Sequence, residues 1–166
     1  SEQLGAFTCA LAAAPAPATL EDAARLAALV AACAVLDTDP GKPPRALPVT
    51  EICPVESEFF DYHAKYTPGA CNEITPARIS LELTDEVMEM AAHVHQIVGC
   101  RGWSRSDFVI AEDGPVWLEV NTVPGLTKTS LFPQAAAVVG ISYSRMCEML
   151  IESALEYAAE TQKVIG

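Results

Sequence analysis

A chain of 166 residues with 51% hydrophobic and 19% charged residues can bury a sizeable core, which excludes a disordered segment. A formal charge of −12, with only ten Lys and Arg, argues against a nucleic-acid or anionic-membrane surface. No apolar run reaches the ~20 residues that span a bilayer, and no export signal is visible at the N-terminus.

In chain order, Gln3–Ala10 reads as a short strand and Ala46–Cys53 as another. Between them, at about 11–45, lies an Ala- and Pro-rich insertion that opens as a linker at Ala12–Ala18. Thr19, Leu20, Glu21 and Asp22 make a capping-box pattern that predicts a helix through about Val35, closed by turn residues from Asp37 to Pro44. Strand-forming aromatics follow from Phe59. Lys65 to about Thr75 then reads as an irregular loop, mobile in the absence of ligand.

The clearest helix has Thr84 as its N-cap and Gly99 as its stop, with Val87, Met90, Ala91, Val94, Ile97 and Val98 on an apolar face. Two strands come next, Arg105–Ile110 and a second from Trp117, then a polar loop from Pro124 to Leu131. A short apolar helix, Phe132–Val139, stops at Gly140, and Ser142 caps a last amphipathic helix through about Ala159. This order predicts an α+β fold, a mostly antiparallel sheet flanked by helices, in one domain over residues 1–166.

The six cysteines show no C-x-x-C pair and read as small core residues of a reducing compartment. His63, His93 and His95 lack metal-ligand spacing, and no Ser, His and acid converge for hydrolysis.

Chemistry concentrates in the hairpin. With a three-residue loop, Glu112–Gly114, antiparallel pairing sets Ala111 opposite Pro115, Val109 opposite Trp117, Asp107 opposite Glu119 and Arg105 opposite Asn121, all on one face. Two acids facing each other repel unless a cation lies between them, and with Asn121 the donors are all hard oxygens. That set suits Mg²⁺ or Mn²⁺ rather than zinc. Arg105 on the same face can hold a carboxylate or an oxyanion, and Lys65 in the loop suits a phosphate. Gly125 allows close approach of its backbone N–H to an anion, and Ser130 with adjoining amides adds neutral donors. Together these suit phosphoryl transfer to a carboxylate followed by attack of an amine.

Gly102–Asp107, Leu118–Thr127 and Ser130–Pro133 resemble the C-terminal signatures of the D-alanine–D-alanine ligases, which are ATP-grasp enzymes, and Phe60–Tyr66 resembles the start of that family's mobile loop. The resemblance runs from about Ala46 to Leu155 and implies the C-terminal half of an ATP-grasp fold. It implies ATP as co-substrate, D-alanine as substrate, and two Mg²⁺ or Mn²⁺ ions on Asp107, Glu119 and Asn121. Lys65 would touch the γ-phosphate, and Arg105 with the Gly125 amide would stabilise the tetrahedral centre. Ser130 and the Leu131 amide would hold the second D-alanine's carboxylate, Tyr66 would join the loop-closing network, and Val109 and Leu118 would lie near adenine.

The implied product is D-alanyl-D-alanine for peptidoglycan, made in the cytoplasm, and a homodimer of the full-length protein is compatible with the family. The first half of the grasp domain has no counterpart in the sequence, so activity is not expected of this chain alone. Another ATP-grasp ligase, such as one making a D-alanine–D-lactate ester, and a non-catalytic remnant are the competing readings.

Overall fold

Leu29–Asp37 forms the central strand, β1, in the computed structural model, which describes residues 29–54 and 71–165. The helix expected inside an insertion at 11–45 covers most of this stretch, but Leu29–Asp37 is instead a strand of the sheet. Alanine-rich Leu29–Val35 has helical propensity and no alternation, because β1 is covered on both faces and has no polar side to show. The expected strand at 3–10 and the capping box at Thr19 lie outside the described residues.

β1 pairs with β2 (Arg45–Ala46) and β3 (Thr50–Pro54) on one side, and with β5 (Gly102–Ala111) on the other. β4 (Cys71–Ile74) extends the sheet beyond β3, and β6 (Gly114–Asn121) beyond β5. All pairings are antiparallel. Residues 71–74, expected as loop, are therefore strand; a four-residue edge strand with mixed polarity leaves little pattern to read.

Among the described residues three helices cover the sheet: α1 (Leu81–Val98), α2 (Leu131–Val138) and α3 (Tyr143–Ile165). α1 starts one turn earlier than expected, because the Ser80 hydroxyl caps it by accepting from the Leu83 N–H at 3.2 Å. Gly99 ends it in the left-handed conformation, φ 75°, where its N–H meets the Gln96 carbonyl. α3 runs past Ala159, with Ser142 Oγ accepting from Arg145 N at 3.2 Å.

Strand alternation divides the core. Ala31, Cys33, Val35 and Phe108 pack with Val87 and Ala91 of α1. On the opposite face Ala34 and Leu36 pack with Phe132, Ala135 and Ala136 of α2 and Met146 and Leu150 of α3. Removing a fully buried ring such as Phe108 or Phe132 should cost ~3–5 kcal/mol. Burial pushes the Cys33 thiol up to about 12, so it is an inert core residue. Among the described residues no helix is long and apolar enough to cross a membrane.

One strand in from the β4 edge, buried Glu51 on β3 receives Arg78 Nη2 at 2.7 Å, Nε at 3.0 Å and the Arg78 backbone N–H at 3.1 Å. These bonds to the guanidinium hold its carboxyl at about 2 despite burial.

Candidate metal and anion site

β5 turns its odd-numbered residues towards the α2 and α3 face, since Trp103 and Arg105 stand opposite Leu36 and Ala34 of β1. Asp107 stands opposite Glu119, and Arg105 opposite Asn121, as the hairpin reading required. The turn end differs. Ala111 pairs with Gly114, closing a two-residue turn over Glu112 and Asp113, and Phe108, not Val109, faces Trp117. A bulge between Asp107 and Phe108 leaves Leu118 unpaired on β6 and restores the expected register beyond it. Trp117 is thereby moved off the carboxylate face to pack against the α1 core, and Val116 stands opposite Val109.

Asp107 is nearly buried and Arg105 holds both of its oxygens, Nε to Oδ1 at 2.7 Å and Nη2 to Oδ2 at 2.8 Å. Glu119 is exposed, and Asn121 Oδ1 accepts from the Val123 N–H at 3.0 Å, which fixes the side chain while leaving a lone pair. No group of three or more His, Cys, Asp or Glu converges among the described residues. The donor set nevertheless fits the chemistry of a hard divalent cation: oxygen only, with two carboxylates opposed across a ladder.

After β6 the chain passes through Pro124–Ser130 to α2. Ser130 is the N-cap residue, and its hydroxyl lies 2.7 Å from Thr127 Oγ1. A Cβ on Gly125 would come within 2.9 Å of Ser130 Oγ, so these two residues touch only because one of them is glycine. Val109 is half-buried and Leu118 is exposed on the edge strand. Lys65 and Tyr66 lie outside the described residues.

One arrangement escaped the sequence. His95 Nδ1 lies 2.7 Å from Ser104 Oγ, and His95 Nε2 lies 3.4 Å from Asp37 Oδ2, within ion-pair range but without hydrogen-bond alignment. A serine, a histidine and an acid do converge, yet His95 and Ser104 are fully buried, so the group ties α1 to β1 and β5. Burial lowers the His95 pKa, opposed by Asp37, which favours the neutral ring. The Glu51–Arg78 pair was also missed, since a spacing of 27 residues leaves no local signal.

Residues 20–152 match the family described as D-ala D-ala ligase C-terminus. The chain is 55% identical over 113 residues to a D-alanine–D-alanine ligase of Syntrophobacter fumaroxidans, covering 68% of this chain and 36% of that protein. Among solved structures it resembles the Bacillus anthracis D-alanine–D-alanine ligase complexed with ATP, with 30% identity, a TM-score of 0.64, and coverage of 80% of this chain and 41% of that one. It also resembles the VanG D-Ala:D-Ser ligase of Enterococcus faecalis, with 37% identity, a TM-score of 0.61, and coverage of 74% and 35%. The chain thus spans about a third of the length of the curated relatives it matches. Its antiparallel α+β architecture is the one these ATP-grasp ligases have, and the chain belongs to the D-alanine–D-alanine ligase C-terminal family.

Proposed function

We propose that this chain is the metal- and acceptor-binding part of an ATP-dependent D-alanine–D-alanine ligase that supplies peptidoglycan synthesis in the cytoplasm. The observation that carries this reading is the pairing of Asp107 with Glu119 and of Arg105 with Asn121 on one face. It assembles an oxygen donor set and a cation from residues that have no packing reason to meet.

In this reading one D-alanine carboxylate attacks the γ-phosphorus of ATP and ADP departs. The amine of the second D-alanine then attacks the acyl carbon, loses a proton and expels phosphate. Asp107, Glu119 and Asn121 would hold Mg²⁺ or Mn²⁺, which when bound neutralises phosphate charge. Arg105, on the same face, presents positive charge to the oxyanion of the tetrahedral centre, with the Gly125 N–H as a second donor. Ser130 and the Leu131 N–H, at the start of α2, receive the acceptor carboxylate, where the helix dipole favours an anion. Val109 and Leu118 offer apolar contact to adenine, and Lys65 and Tyr66 would close over the phosphates.

Likeness to a D-Ala:D-Ser ligase makes D-serine the second acceptor to test. The decisive experiment measures phosphate release by the natural gene product containing these residues, with ATP, Mg²⁺ and either amino acid. Release in step with D-alanyl-D-alanine supports the reading; D-serine dependence replaces the acceptor; no release with either amino acid overturns it.

A further inference from the structure

The loop that joins β6 to α2 is tied at its carbonyls by side chains from three other places in the fold. Trp103 Nε1 on β5 donates to the Pro124 carbonyl at 3.2 Å, and the Tyr143 hydroxyl on α3 donates to the Leu126 carbonyl at 2.9 Å. Gln134 Nε2 on α2 donates to the Thr129 carbonyl at 2.8 Å and, with its other N–H, to Glu73 Oε2 on β4 at 2.6 Å. The Thr127 carbonyl is taken by the Ser130 N–H at 2.9 Å.

A carboxylate is repelled by any carbonyl oxygen that faces it and attracted by N–H and hydroxyl groups. Three carbonyls of one short loop are thus bonded to side chains of the protein body and a fourth is bonded within the loop, and none of the three side chains involved is among the proposed ligands. We propose that Trp103, Tyr143 and Gln134 are positioning residues that tie these carbonyls back and hold the loop open to an anionic acceptor. This rests on the reading of Ser130 and Leu131 as the carboxylate site. The ties act before ligand arrives, so the donors need no rearrangement when it binds.

Tyr143→Phe removes one hydroxyl from a partly exposed ring and keeps the ring that faces Lys128. Gln134→Met removes the amide at nearly constant volume. In this chain either change should speed hydrogen exchange of the 125–131 amides roughly fivefold to tenfold, the weight of one lost hydrogen bond, with β5 amides unchanged. Unchanged loop exchange in both variants overturns the proposal. In the natural gene product, Tyr143→Phe should raise KM for the acceptor amino acid, with kcat and the KM for ATP within about twofold of the parent. A fall in kcat at unchanged acceptor KM overturns the positioning role. Should the gene product show no ligase activity, the reading of the site fails separately, and loop exchange alone decides whether the ties act.

Discussion

Arg105 grips Asp107 through both carboxylate oxygens, at 2.7 and 2.8 Å, from two residues away on the same strand. The acid proposed to bind a cation therefore already has one, and a divalent ion must compete with a guanidinium for the same oxygens. Charge is balanced in the free protein, which removes the repulsion between Asp107 and Glu119 that a bare pair would suffer.

This competition sets opposite signs for two properties of one variant. Arg105→Gln should tighten Mn²⁺ binding to this chain by roughly tenfold, the scale of one hydrogen-bonded charge released from its partner. In the natural gene product the same change should lower kcat by roughly 10²–10³-fold, the usual cost of an oxyanion donor. Calorimetric titration and steady-state kinetics read the two; weaker Mn²⁺ binding in the variant would show that Arg105 and the metal do not share Asp107.

Gly125 and Ser130 should behave as one unit. Gly125→Ala brings a methyl to 2.9 Å from Ser130 Oγ and should displace that hydroxyl, raising acceptor KM at least several-fold in the gene product. Ser130→Gly removes the obstructing atom, so adding Gly125→Ala to it should cost little more. A double-mutant cycle that is additive would show that the contact is not what requires glycine.

Stability should fall with acid over two pH windows. His95 is held below its ordinary 6.5 by burial, so the unfolded state takes up the proton first. Its contribution is full above pH 6.5 and is lost as pH falls below that. Glu51, at about 2 against an ordinary 4.5, contributes fully above 4.5 and loses that contribution as pH falls towards 2. Glu51→Gln should lower Tm at pH 7 by roughly 2–6 °C and flatten the Tm profile between pH 4.5 and 2. An unaltered slope in that window would assign the acid sensitivity elsewhere.

Ser104 should not react with an active-serine probe such as a fluorophosphonate, despite its 2.7 Å contact with His95. The nucleophile has no access to a reagent or a substrate. Labelling of Ser104 in the native chain, mapped by peptide mass spectrometry, would overturn the structural role.

The hairpin was legible because its chemistry follows period two: Asp107, Glu119, Arg105 and Asn121 needed only the correct sum of turn and bulge. A three-residue turn and a two-residue turn with one bulge count the same at Asp107, which is why the expected register holds at Asp107 and Arg105 but not at Trp117. β1 was illegible for the opposite reason. A strand buried on both faces loses its alternation, and Leu29–Val35 carries alanines that pack against helices on either face and that single-sequence propensity reads as helix. The ties on Pro124, Leu126 and Thr129 come from elements 5 to 21 residues away and depend on packing that no local pattern encodes.

The most direct measurement is Mn²⁺ titration of the ¹⁵N-labelled chain followed by paramagnetic broadening. Amides of Ser106, Asp107, Phe108, Glu119, Val120 and Asn121 should broaden first, and Glu119→Gln should abolish that selectivity while leaving the spectrum of the fold intact. Broadening that begins along α3, where Glu148 and Glu152 pair with Arg145, with the hairpin resonances still sharp, would contradict a metal centre on this face.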